Sequence, residues 1–131
     1  MKSILLVDDD DTTNFLNKFF IKQLDAALEV NVASNGKEAI DFLELHQKDE
    51  IVPCLLILDT NMPVMDGWEF LKAFGKRFSP EFRKKITVVM LTAVDTENAR
   101  QEAMADGNVA DTAQKPLSDV KFKVLIRKHF S

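Results

Sequence analysis

The sequence predicts an α/β fold: one five-stranded parallel sheet, doubly wound, with helices on both faces. Two observations predict it. Short apolar or β-branched runs alternate five times with segments of helical spacing, and parallel strands need crossovers long enough to hold a helix. Two of the runs, Leu55–Leu58 and, apart from Thr87, Ile86–Leu91, are apolar, the pattern of strands covered on both faces.

The first strand is Ser3–Val7, followed at once by Asp8, Asp9, Asp10 and Asp11. Thr12–Leu24 carries Phe15, Leu16, Phe19, Phe20 and Leu24 at helical spacing. Glu29–Ala33 is a weak strand. Asn35 is placed to cap a helix over Gly36–Gln47, with Ala39, Ile40 and Leu43 inward. After Leu55–Leu58, the pairs Met62-Pro63 and Asp66-Gly67 signal turns. Trp68–Phe78 reads as a helix with Trp68, Leu71 and Phe74 or Phe78 inward. Thr96–Asp106 is helical and stops at Gly107, a residue suited to the position after a helix. Val109–Ala113 is the weakest strand, and Ser118 caps a last helix that runs to about residue 130.

Composition narrows the function. The 131 residues fit a single domain, 1–131, with no linker, repeat or low-complexity tract. No apolar run approaches the length of a membrane span, and the N-terminus lacks the pattern of a signal peptide. One cysteine, Cys54, excludes an intrachain disulfide and a cysteine-based zinc site, and is expected to be a reduced core residue. A cytoplasmic location is expected. The net charge of −4 argues against general nucleic-acid binding. Charge is uneven: residues 1–66 hold 5 basic and 13 acidic residues, whereas 115–131 hold 5 basic and 1 acidic. A start at Met1 and an end just after the last helix favour a stand-alone protein over a fragment of a larger regulator.

Right-handed crossovers align the C-terminal ends of the strands along one edge, where open sheets of this kind bind ligands. The first strand ends in the acid run, the third in Asp59, the fourth in Thr92, and the fifth is followed by Lys115-Pro116. If the first and third strands are neighbours, Asp8, Asp9 and Asp59 converge. Grouped carboxylates repel, and a hard divalent cation such as Mg²⁺ relieves that repulsion. Asp10 and Asp11 are better explained as solvated acids at a helix N-terminus. Asp59, directly after a buried strand, is a candidate nucleophile for phosphoryl transfer through an acyl phosphate. Such transfer depends on positioning and charge neutralisation, for which Lys115 offers a cation and Thr92 a hydroxyl donor.

The runs Leu5-Leu6-Val7-Asp8-Asp9-Asp10, Leu58-Asp59-Thr60-Asn61-Met62-Pro63-Val64-Met65-Asp66-Gly67, Leu91-Thr92-Ala93 and Lys115-Pro116 resemble, in this order, a response regulator receiver domain of two-component signalling. The resemblance spans essentially the whole chain. It implies a flavodoxin-like (βα)5 sheet of order 2-1-3-4-5. It implies that Asp59 is the phosphoacceptor, that Asp9 is the more direct Mg²⁺ ligand, and that Asp8 acts largely through water. Asn61 would offer its backbone carbonyl to the metal, Thr92 would be the switch hydroxyl, and Lys115 would pair with the phosphoryl group across a cis Lys115-Pro116 bond. The phosphodonor would be a histidine kinase or a histidine phosphotransfer protein. The output surface would be the fourth helix, fifth strand and fifth helix, and any activity would be limited to self-phosphorylation and self-dephosphorylation. Two departures from the family pattern stand out. Its common switch aromatic, three residues before the lysine, is Thr112 here, and the run Gly107–Thr112 is about one residue longer than the usual pattern.

The last helix carries apolar residues on two sides, Leu117, Val120 and Val124 on one and Phe122, Leu125, Ile126 and Phe130 on another. An outer helix buries only one stripe, so either some of these are exposed, as a face for a homodimer or for a kinase or phosphotransfer partner, with Lys121, Lys123, Arg127 and Lys128 suited to an acidic one, or all of them are core. Val94, two residues after Thr92, is expected to slow hydrolysis of an acyl phosphate. A haloacid-dehalogenase-type phosphatase would want an acid where Asn61 stands, and a flavodoxin-like electron carrier would be repelled by Asp8–Asp11.

Overall fold

A computed structural model describes residues 3–48 and 51–130. The sheet contains β1 (Ser3–Val7), β2 (Glu29–Ala33), β3 (Cys54–Leu58), β4 (Ile86–Thr92) and β5 (Val109–Gln114), all parallel, in the order β2-β1-β3-β4-β5. The helices are α1 (Asp11–Leu24), α2 (Gly36–Leu45), α3 (Gly67–Arg77), α4 (Pro80–Arg83), α5 (Glu97–Met104) and α6 (Asp119–Phe130). The fold class and strand order are therefore those expected, with one extra helical turn, α4. Its signal is local: Ser79 caps the helix by accepting from the Phe82 amide, and Pro80 stands at its first position.

Strand alternation divides the core in two. Leu5 and Val7 of β1, Leu56 and Leu58 of β3, and Val88 and Met90 of β4 face one side, with α2, α3 and α4. Ile4, Leu6, Leu55, Ile57, Val89 and Leu91 face the other, with α1 and α6. On the first side Phe70, Phe74, Phe78 and Phe82 form a ladder with ring centroids 5.6, 5.6 and 5.2 Å apart. Cys54 is buried, and burial pushes its thiol up to about 11, so it is an inert core residue as expected.

Several local expectations need correction. In α1 the buried positions are Asn14, Asn17 and Ile21, while Phe15 (70% exposed), Leu16 and Phe19 face solvent. The cause lies at the helix start. Asp10 caps it through the Thr12 amide, and the Asn14 amide nitrogen donates to the Asp8 carbonyl at 2.8 Å, which turns the 14, 17, 21 row toward the sheet. Trp68 is not inward but 40% exposed. Phe70 takes the core position in its place, because the capping box of Asp66 and Glu69 fixes the phase of α3. The α5 helix ends at Met104, capped by Ala105, and no glycine adopts positive φ, so Gly107 does not close the helix. The additional residue before Thr112 forms a β-bulge. Val88 pairs with Val109 and Val89 with Asp111, leaving Ala110 without a partner across the ladder. No helix among the described residues is long and apolar enough to cross a membrane.

The burial pattern yields a contrast measurable by denaturant unfolding. Phe74→Ala, in the ladder, should lose about 3–5 kcal/mol. Phe19→Ala, on the exposed row of α1, should change stability by about 0.5 kcal/mol or less.

Candidate functional site

The site lies where β1 and β3 end side by side. Val7 pairs with Leu58, so the next residues, Asp8 and Asp59, emerge together, and the Asp59 amide donates to the Val7 carbonyl at 3.0 Å. Carboxylate oxygens of Asp8, Asp9 and Asp59 lie within 4.8 Å of one another. Asp8 and Asp59 are buried and Asp9 is exposed. Asp59 Oδ1 accepts from the Thr60 amide at 2.9 Å and from Lys115 Nζ at 3.2 Å. Lys115 Nζ is also 3.7 Å from Asp8 Oδ2. Asp8 Oδ1 accepts from the Asp10 amide at 3.0 Å.

One cation thus serves a group of three carboxylates, and the electrostatics record the imbalance. Burial pushes the Asp8 carboxyl above its ordinary value; Asp59 and Asp9 add to the rise, against the Asp10 amide and Lys115. Burial opposes the charge on Lys115. The hydrogen bond and charge of Asp59, with Asp8 behind it, outweigh that and hold its amine above its ordinary value. Beyond its 3.7 Å ion-pair contact with Lys115, the buried Asp8 Oδ2 has no hydrogen-bond partner among the described residues. An oxygen-rich, net-negative cluster with an unsatisfied buried carboxylate oxygen fits a hard divalent cation such as Mg²⁺.

The other expected residues differ in engagement. Thr92 is buried at the end of β4, and its carbonyl accepts from the Lys115 amide at 2.9 Å. Its hydroxyl donates, weakly, to the Ala113 carbonyl at 3.5 Å. Asn61 is exposed in the loop after β3, and Val94 is exposed in the loop after β4. The Lys115-Pro116 bond is cis, as expected, and so is Val52-Pro53. Asp10 is the cap of α1, accepting from Thr13 Oγ1 at 2.6 Å, which together with the Thr12 amide holds its carboxyl below its ordinary value.

Two residues have supporting roles that the sequence did not signal. Gly67 was read only as part of a turn, yet a Cβ there would lie 2.4 Å from the Asp59 carbonyl oxygen, so α3 can begin against the loop after β3 only with glycine. Lys121 donates to the carbonyls of Gln114 and Pro116. Of the four α6 cations expected to face a partner, Lys121 is thus engaged within the chain, and Lys128 pairs with Asp111 at 2.9 Å. Val120 and Val124 are exposed at 67% and 59%, whereas Leu117, Phe122, Leu125 and Phe130 are buried.

Comparison with known proteins agrees with this geometry. Residues 4–127 match the family model of the response regulator receiver domain. A two-component response regulator from Cytophaga hutchinsonii superposes with a TM-score of 0.85 at 30% identity, covering 98% of this chain and 96% of that one. The chemotaxis protein CheY4 of Vibrio cholerae superposes with a TM-score of 0.75 at 30% identity, covering 98% of both chains. The transcriptional regulatory protein CitT of Bacillus subtilis is 30% identical over 129 residues, which cover 98% of this chain but 52% of CitT.

The raised Asp8 carboxyl has a sign. The folded state holds the proton more tightly than the unfolded chain, so stability falls as pH rises from about 4 through the folded value. Asp8→Asn removes that loss and keeps an acceptor for the Asp10 amide. Without divalent cations at pH 7 it should melt several degrees above wild type, a gain of about 1 kcal/mol. At pH 3 the two thermal midpoints should converge.

Proposed function

Because this chain belongs to the response regulator receiver family, we propose that it accepts a phosphoryl group on Asp59 from a phosphohistidine of a histidine kinase or histidine phosphotransfer protein. The observation that carries the proposal is the gathering of Asp8, Asp9 and Asp59 at one strand edge with Lys115 Nζ 3.2 Å from Asp59. An Asp59 carboxylate oxygen attacks phosphorus and a P–O bond forms. The P–N bond of the donor breaks, and the imidazole leaves with its electron pair. In hydrolysis, water attacks the same phosphorus, the acyl phosphate P–O bond breaks, and carboxylate and inorganic phosphate are released.

Asp8, Asp9, Asp59 and the Asn61 carbonyl would hold Mg²⁺, which when bound offsets negative charge on the transferring group. Lys115 supplies the fixed cation opposite Asp59. The Thr92 hydroxyl, held only by a 3.5 Å bond to the Ala113 carbonyl, is free to exchange it for a phosphoryl oxygen. That exchange and the Lys115 contact bias the loops after β4 and β5, and so the surface of α5, β5 and α6. With Thr112 in place of an aromatic, the shift is transmitted through packing of these loops rather than by rotation of a ring.

The surface supports two contacts. The exposed Phe15, Leu16 and Phe19 row of α1, starting beside the acidic site, suits an apolar face of the phosphodonor. The exposed Val120 and Val124 of α6, with Lys123 and Arg127 nearby in the helix, suit a downstream partner or a second copy of this chain.

Incubation with acetyl phosphate and Mg²⁺ should add one phosphoryl group by intact mass. Asp59→Asn or removal of Mg²⁺ should abolish the gain, and a phosphorylated Asp59→Asn chain would overturn the assignment. Val94→Glu should shorten the acyl phosphate lifetime by about threefold or more, because a polar side chain can orient water where valine excludes it. The decay of the phosphorylated mass measures this.

A further inference from the structure

Lys115 reaches the site on a flexible four-carbon stem, so the position of its ammonium depends on how firmly its own backbone is held. On one side that backbone is tied to β4, where the Lys115 amide donates to the Thr92 carbonyl at 2.9 Å. The second tie comes from α6. Lys121 Nζ donates to the Gln114 carbonyl at 2.9 Å and to the Pro116 carbonyl at 2.9 Å. These carbonyls belong to the residues immediately before and after Lys115. Gln114 is the last residue of the edge strand β5, and Pro116 has no amide hydrogen to anchor the loop itself. A single ammonium therefore brackets Lys115 with two charge-assisted hydrogen bonds. The helix that supplies it is fixed in turn, since Phe122, next to Lys121, is fully buried and the Lys121 and Phe122 amides donate to Ser118.

We propose that Lys121 is a positioning residue for phosphoryl transfer: by binding the carbonyls on either side of Lys115 to α6, it holds the Lys115 ammonium against Asp59 and Asp8. The proposal rests on the reading of Asp59 as the acceptor. Lys121 itself touches neither carboxylate in this arrangement; it acts through the Lys115 backbone. A cation fixed before the reaction needs no reordering as charge develops, so loosening it should lower the rate of transfer rather than the binding of the donor.

The test uses the full chain, with acetyl phosphate as donor and Mg²⁺ present, and compares Lys121→Met, which keeps an apolar stem, with Lys121→Arg, which keeps the donors. Lys121→Met should lower the maximal rate of phosphorylation by about threefold to tenfold, with the half-saturating acetyl phosphate concentration moving by less than about twofold. Lys121→Arg should recover to within about twofold of wild type. In the unphosphorylated protein, Lys121→Met should speed hydrogen exchange at the Lys115 amide by about tenfold and leave the β1 and β3 amides unchanged. Faster exchange throughout the sheet would make the effect one of general stability and overturn the proposal. So would a wild-type maximal rate in Lys121→Met while the wild-type chain is phosphorylated. A wild-type chain that gains no phosphoryl group refutes the acceptor reading and this proposal with it, whereas an unaltered rate in Lys121→Met refutes this proposal alone.

Discussion

Two carboxylates set side by side at the ends of buried strands govern this molecule. The parallel pairing of Val7 with Leu58 leaves Asp8 and Asp59 no choice but to emerge together. Neither is exposed enough to be screened by water, and one lysine cannot neutralise them together with Asp9. Much of the surrounding structure serves to hold that unfavourable arrangement. The Asp10 and Thr60 amides point into it, glycine at 67 lets α3 close against its loop, and the Lys115 segment is secured from β4 and from α6. The sheet is apolar and tightly packed, and local charge strain is tolerated because the core beneath does not yield.

Placing the acidic cluster at the strand ends also separates it from the packing that confers stability. The phenylalanine ladder from Phe70 to Phe82 and the two layers of strand side chains lie below the acidic rim. The loops above can then shift without disturbing the packing that holds the sheet together. Thr92 shows the division within one residue: its carbonyl fixes the Lys115 backbone, while its hydroxyl rests on a weak bond to Ala113.

Most of the fold was legible because its signals are local and redundant. The largely apolar strands, the Asn35 and Ser118 caps and the acidic strand ends each point to the same architecture. Strand order was not legible from periodicity and came from family resemblance. The acidic trio and Lys115 could be read because chemistry at a strand end has few structural explanations. What failed were questions of helix phase. Phe15, Leu16 and Phe19 look like a core row, but two asparagines and Ile21 fill it, since a side-chain bond from Asn14 to the Asp8 carbonyl outweighs a hydrophobic pattern. Trp68 and Phe70 exchanged roles because the cap at Asp66 sets the rotation of α3. Lys121 was invisible as a support, since nothing in a sequence distinguishes a lysine that meets two carbonyls from one that meets solvent.

The additional residue in the fifth strand was visible as a length anomaly, and the bulge at Ala110 gives it a physical outcome. β5 lies at the border of the sheet, with one flank of its backbone unpaired to any other strand. A regular ribbon there would offer a template for a foreign strand to add to. The bulge breaks the repeat and increases the local twist, so an incoming chain cannot continue the ladder in register. An irregularity of this kind makes the open margin of a sheet a poorer template for strand addition.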